Sequence, residues 1–256
     1  MELRDTTRTL LRLVETETGF PVEALEDDSL SSLATVRMAR DPMACHIIRY
    51  KPTVDRSLDY LVCFQCGFIL RFFQPPPDQQ FDLSLALAGR EAVAQALRSS
   101  VLFNLPQNQL VEFQAQLCQG LLTHLRSIPI GLRVAAWLAQ HYPELREPQQ
   151  SVVLRELDDA KATLAPHIRD STPSSVYRPT QAISAAYALY WAEQYGRREL
   201  AGPYRGTDCE ADGRALLRIW HNLSDDPLYD RALIDAWATH LGLVDWYQWL
   251  PYRAPQ

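Results

Sequence analysis

Two cysteines three positions apart, Cys63 and Cys66, are the most conspicuous chemical pair in the sequence. Such a pair serves redox chemistry when it lies at an exposed helix N-terminus, which stabilises the thiolate. Here both lie inside the apolar stretch Leu61–Phe73, so we expect two buried thiols that act as small hydrophobic residues. A zinc site would also need Cys45 and His46, but adjacent strand residues point to opposite faces, which leaves three ligands at best. The sequence therefore predicts no metal site and no cofactor.

The remaining residue types with catalytic potential show no recognisable spacing. The six histidines are scattered, and no G-x-S-x-G, G-x-x-x-x-G-K-[ST] or G-x-G-x-x-G segment is present. Three acidic residues, Glu156, Asp158 and Asp159, are expected to form a solvated helix face. These patterns exclude the easily recognised hydrolases, P-loop enzymes and dinucleotide enzymes. We expect no enzymatic activity, and an enzyme or small-molecule binder with a diffuse site between the two parts of the chain is an alternative.

The segment that contains both cysteines predicts a helix over about Leu58–Phe73 that is apolar on almost every side. A helix of this kind belongs in the middle of a core. The proline run at 75–77 ends it, because proline disfavours helical backbone in the residue before it.

Three elements are predicted before this helix. The first is a helix over about Asp5–Thr18, which Gly19 ends. An acidic loop, Glu23–Ser32, comes next. Two alternating strands, Leu33–Met38 and Cys45–Tyr50, then form a hairpin whose turn contains Asp41-Pro42.

The rest of the chain predicts one helix after another. The segment Ser171–Pro179 is the best candidate for a mobile surface loop. The fold class is therefore α+β, mostly helical, with a small antiparallel sheet near the N-terminus packed on a buried helix. We place an α+β N-terminal unit over residues 1–105 and a helical C-terminal part, packed as one globular body, over 106–256.

The order of helix, hairpin and buried helix resembles the layout of zincin metallopeptidases, most of all the compact ImmA/IrrE-like group. In that family a helix carries H-E-x-x-H, often H-E-x-G-H, in which two histidines hold zinc and the glutamate is the general base. The matching segment here is Phe64-Gln65-Cys66-Gly67-Phe68, with Gly67 at the family's frequent glycine position.

The resemblance implies a degenerate member of that fold. Phenylalanine replaces both metal ligands, at Phe64 and Phe68, and Gln65 replaces the base. Phenylalanine cannot bind zinc, and an amide takes no proton at a useful pH, so the resemblance implies a pseudo-peptidase. The alternative is a plain core helix of an unrelated fold, and it also predicts no peptidase activity.

The C-terminal segment is rich in aromatic residues. Five tryptophans and tyrosines fall within sixteen positions: Trp237, Trp246, Tyr247, Trp249 and Tyr252. Tryptophan and tyrosine are frequent anchors in protein interfaces. These residues predict either a partner surface or the packing of the last helix and tail onto the body.

Composition narrows the class of partner. The 256 residues include 25 Lys+Arg and 31 Asp+Glu, which gives a formal net charge of -6. Direct nucleic-acid binding is disfavoured by this charge, because proteins of that class usually carry a basic excess. No stretch is long and apolar enough for a membrane span, no signal peptide is evident, and five cysteines do not form a disulfide scaffold. We therefore expect a cytoplasmic protein without a membrane partner.

The function that these features favour is protein binding without catalysis. The chain is then an interaction or scaffold subunit of a bacterial-type multi-protein system. A subunit of a nucleic-acid-associated complex, with contact through a local arginine patch, is a further alternative.

Overall fold

The computed structural model describes residues 3–52, 57–98 and 106–252, and the α+β class with a mostly helical chain is confirmed. The elements in chain order are α1 (Asp5–Thr18), β1 (Val22–Glu26), β2 (Ala34–Arg37), β3 (His46–Tyr50), α2 (Ser57–Phe73), β4 (Phe81–Leu85), α3 (Leu87–Arg98), α4 (Gln107–His141), α5 (Arg146–Ala162), α6 (Pro166–Ser171), α7 (Ser174–Gln194), α8 (Asp208–Asn222), α9 (Asp230–Leu241) and β5 (Tyr247–Pro251).

The N-terminal sheet has three strands in the order β1-β3-β2. Strands β2 and β3 pair antiparallel, with Val36 opposite Ile48, as the hairpin prediction requires. Strand β1 pairs with β3 in parallel, with Val22 opposite His46, so the sheet is mixed rather than purely antiparallel. The acidic loop predicted over Glu23–Ser32 was wrong in its first residues, because Val22 and Ala24 are half-buried and pair as an edge strand.

The two predicted N-terminal helices form with nearly the expected bounds. Helix α1 ends at Gly19, whose left-handed backbone (φ 74°) lets its N–H reach the carbonyl of Glu15. At its start no side chain of α1 itself caps the helix. Asp59 of α2 replaces that cap by accepting hydrogen bonds from the Arg4 N–H (2.9 Å) and the Thr7 hydroxyl. The buried carboxylate of Asp59 thus fixes the start of α1 on α2.

The chain forms two compact units, each assembled from separate segments. The first unit draws its described residues from Met1–Phe81, Ile130–Arg155 and Pro251–Gln256, and the second from Asp82–Pro129 and Glu156–Leu250. The predicted boundary between residues 105 and 106 adjoins 99–105, which lie outside the described residues, and it stays a prediction.

The second unit is built on the contact between α7 and α8. The alanines of α7 are buried, and Gly213 of α8 lies so close that a Cβ there would be 2.8 Å from the Ala186 nitrogen and 3.0 Å from the Ala185 carbonyl carbon. Small residues on both sides therefore let the two helix backbones approach.

The mobile loop predicted over Ser171–Pro179 was wrong. Residues Pro166–Ser171 form α6, and α7 begins at Ser174. Proline and hydroxyl side chains favour a loop when the sequence is read locally, but both are also common in the first turns of a helix. Thr180 is another hydroxyl residue that lies within a helix rather than a loop, and its hydroxyl donates to the Val176 carbonyl (2.8 Å) inside α7.

A buried histidine links three segments of the first unit. His46 of β3 has no exposed surface, and its Nδ1 accepts the Ala39 N–H at 2.9 Å. Its Nε2 lies 2.9 Å from the Thr18 hydroxyl, which in turn donates to the Val14 carbonyl. With Nδ1 as an acceptor the ring is neutral, and burial lowers the pKa of His46 to about 4.

We predict that the contribution of His46 to the free energy of unfolding falls as the pH drops from about 6.5 to about 4 and is constant below. The unfolded chain binds a proton on His46 near pH 6.5, whereas the folded chain does so only near 4, so acid favours unfolding by roughly 3 kcal/mol in total. Urea denaturation at several pH values measures this slope. His46→Gln should flatten it, and an unchanged slope in that variant would contradict the assignment.

A methyl group at the α7–α8 contact is predicted to be costly. Gly213→Ala places a Cβ against backbone atoms that cannot rotate away, so we expect a loss of about 1–3 kcal/mol in the free energy of unfolding. The matched control is Gly120→Ala on α4, where an added Cβ would have no atom of another described element within 4 Å, and where we expect a gain of about 0.5–1 kcal/mol. Equal effects of the two variants in chemical denaturation would contradict the close contact.

Candidate functional site

The motif segment lies in the middle of α2, within the first unit. Phe64 and Phe68 are one helical turn apart, and their ring centroids are 5.2 Å apart in an edge-to-face arrangement. Both side chains are half-buried, whereas Gln65, Cys66 and Gly67 are buried. Tyr60 extends the same row, with its ring centroid 5.6 Å from that of Phe64. The face that carries the two ligand positions of the motif is therefore an aromatic row.

Helix α4 covers this row with a glycine. A Cβ at Gly131 would lie 3.2 Å from the ring tip of Phe64 and 3.5 Å from that of Phe68. On the other side of the contact, a Cβ at Gly67 would lie 2.5 Å from a methyl group of Val134. The two glycines let α2 and α4 approach closely. No group that binds a metal is present among the side chains of these contacts, and the amide of Gln65 has no basic atom for proton transfer.

The surroundings of the two cysteines of α2 keep both as un-ionised thiols. Both are fully buried, and the Cys63 thiol lies 3.5 Å from the Thr7 hydroxyl. Burial raises the pKa of Cys63 to about 12, and it raises that of Cys66 as well. Since the thiolate is the form that attacks disulfides and binds metals, neither residue is suited to redox or metal chemistry.

The four residues considered for a metal site do not converge. Cys45 is half-exposed, with its Sγ 3.8 Å from a carboxylate oxygen of Glu23. His46 is buried, and both of its ring nitrogens have the partners described above. Within 3–52, 57–98 and 106–252, no group of three His, Cys, Asp or Glu side chains is placed to hold a metal ion.

The C-terminal aromatic residues lie mostly inside the chain. Four of the five are buried: Trp237, Trp246, Tyr247 and Tyr252. Trp249 alone is half-buried. A partner surface made from this group would therefore consist of little more than the edge of one indole ring.

Three of these aromatic side chains also form hydrogen bonds within the chain. In the second unit, the Tyr247 hydroxyl and the Trp249 Nε1 both donate to the same oxygen of Asp235, at 2.6 and 2.8 Å. Arg231 also lies over the Trp249 ring, 5.5 Å from its centroid. Tyr252 belongs to the first unit, where its hydroxyl donates to the Ala39 carbonyl at 3.1 Å.

One of the three acidic residues on α5 does not belong to the predicted solvated face. Glu156 is half-buried and accepts a hydrogen bond from the Tyr187 hydroxyl, and burial raises its pKa. Asp158 and Asp159 are exposed as expected. A local helix pattern shows which residues share a face, but it does not show that α7 covers one end of that face.

Sequence reasoning missed the two residues that organise these contacts, Gly131 and Asp235. Each acts on side chains that are distant in the chain or on another element, and neither belongs to a motif. The described helices include none that is both long and apolar enough to cross a membrane. Comparison of the chain with profiles of protein families, with curated protein sequences and with solved structures finds no match in any of the three.

Proposed function

We propose that this protein is a non-catalytic binding subunit. Its first unit would have the layout of a zincin metallopeptidase but without the two zinc-binding histidines and the glutamate base. The observation that carries the proposal is the contact of Phe64, Phe68 and Gly131, which occupies the motif face with two apolar rings and a helix backbone. The order of α1, a three-stranded sheet and the buried α2 supports the layout. A peptidase would need two imidazoles and a carboxylate at these positions.

The proposed partner is a protein with an apolar segment that docks on the accessible surface of Phe64 and Phe68; Tyr60, the third member of the aromatic row, is buried beside them. The two phenylalanine rings are only half-buried, so part of their surface is accessible. Aromatic side chains in such positions are effective anchors, because each buries a large area at little cost in side-chain entropy. The cysteines at 45, 63, 66, 118 and 209 are all free thiols, which supports a cytoplasmic location.

The zincin-like layout predicts that a metal site can be built at this face. In F64H/F68H/G131D the two imidazoles and the new carboxylate would converge, because the Cβ position of residue 131 lies 3.2–3.5 Å from both ring tips. We expect one bound Zn²⁺ per chain, measured by metal analysis after dialysis and by calorimetry. Binding should be at least about tenfold tighter than in F64H/F68H, which lacks the third ligand.

A matched control separates this geometry from simple histidine affinity. E112H/Q116H places two histidines one turn apart on an exposed face of α4, and it should bind zinc no better than F64H/F68H. Failure of a folded F64H/F68H/G131D protein to exceed that control would contradict the layout. Circular dichroism establishes that the variants are folded.

Partner binding should depend on the aromatic row. We expect Phe68→Ser to abolish the recovery of a partner that co-purifies with the wild-type chain from its source cells. With the purified partner, the dissociation constant should rise at least about tenfold, which is the loss typical of a buried aromatic anchor. Quantitative mass spectrometry and calorimetry are the measurements.

The control for this experiment removes exposed apolar surface elsewhere. Leu87 of α3 is 69% exposed and belongs to the second unit, so Leu87→Ser should leave the partner bound. Recovery of the wild-type protein as a lone monomer would argue against the proposed function, and so would equal binding by the two variants.

A further inference from the structure

The second unit contains an open depression that the proposed function does not use. Its volume is about 560 Å³, and it is lined by Asp158, Lys161, Ala162, Leu164, Ala165 and Pro203. Four of the six lining residues are exposed, so the depression is open to solvent. Four of the lining side chains are apolar, and the other two are one carboxylate and one ammonium group.

The two charged groups are adjacent but do not pair. Asp158 and Lys161 are three positions apart on α5, a spacing at which opposite charges usually approach each other. The same spacing gives an ion pair of 2.6 Å between Asp5 and Arg8 on α1. Within the described part of the chain, the side chains of Asp158 and Lys161 form no ion pair and no hydrogen bond, so both are open to a ligand.

A buried polar group next to the depression also lacks a partner. Gln181 of α7 is 2% exposed, and its Nε2 donates to the hydroxyl of Thr163 at 2.9 Å. Thr163 stands between the lining residues Ala162 and Leu164. The Oε1 atom of Gln181 is buried and has no hydrogen-bond partner among the described residues. Gln181 is not itself one of the lining residues, and an unsatisfied buried acceptor of this kind is commonly completed by an ordered water.

We propose that this depression binds a small zwitterion with an apolar substituent, such as a free amino acid. The ammonium group of the ligand would pair with Asp158 and its carboxylate with Lys161. The apolar substituent would lie on Leu164 and Pro203. An α-amino acid has its ammonium and carboxylate groups on the same carbon atom, so one ligand can reach two protein charges that are one helical turn apart. This site is independent of the aromatic row in the first unit.

Titration with L-leucine, N-acetyl-leucine and leucinamide tests the proposal, with NMR of the full chain as the readout. We expect saturable binding of L-leucine with a dissociation constant of about 1 mM, typical of a small ligand at an open site. N-acetyl-leucine lacks the ammonium group and leucinamide lacks the carboxylate. Each should bind about tenfold more weakly, because each loses one charge-assisted hydrogen bond.

Charge-neutralising variants assign each ligand group to its partner. D158N should bind L-leucine and N-acetyl-leucine equally, and K161Q should bind L-leucine and leucinamide equally. Both positions are exposed, so folding should be unaffected. The matched control is D159N, an exposed residue of α5 outside the depression, which should bind L-leucine like the wild type. Absence of saturable binding up to about 20 mM, equal binding of the three ligands by the wild type, or an equal loss in D159N would overturn the proposal.

Discussion

The close approach of α2 and α4 is the constraint on which the first unit depends. Gly67 and Gly131 each leave out a side chain where a methyl group would meet the opposite helix. The contact commits the motif face of α2 to a neighbour made of backbone, valine and tryptophan. Apolar rings at Phe64 and Phe68 suit that neighbour, whereas imidazoles there would need polar partners that the contact does not offer. The close contact between α2 and α4 therefore accounts both for the packing of this face and for its lack of metal-binding or catalytic side chains.

Helix α2 also organises the polar groups around it. Asp59 near its start caps α1, a role that α1 cannot fill because its own first residues provide no capping side chain. Near its end, Phe73 packs edge-to-face on His46, with ring centroids 5.3 Å apart. His46 in turn fixes the end of α1 and the segment before the Asp41-Pro42 turn. One apolar helix with few buried polar contacts is thus sufficient to position the helix and the sheet that precede it.

Local patterns predicted these elements well, since each depends on residues close in sequence. Helix α1 ends at its glycine, the hairpin follows its alternation, and α2 is buried as its apolar composition requires. Strand β1 escaped prediction because its glutamates face solvent at a sheet edge, where charge is tolerated. Helix α4 continues through Pro129, a residue that usually ends or kinks a helix. The Pro129 carbonyl accepts the Trp220 indole N–H at 3.0 Å.

The candidate site was harder to predict, because its decisive contacts join residues far apart in sequence. Gly131 lies more than sixty positions from Phe64, and nothing near it in the sequence marks it as the residue that covers the motif face. The aromatic residues at the C-terminus present the same difficulty. Interface anchors and core residues are chosen from the same side chains. Here the difference is an acceptor within the chain, Asp235, which satisfies the polar tips of Tyr247 and Trp249. Aromatic surface that the chain does not use itself is therefore better sought on α2, where Phe64 and Phe68 are only partly covered, than in the tail, where the rings already have their partners.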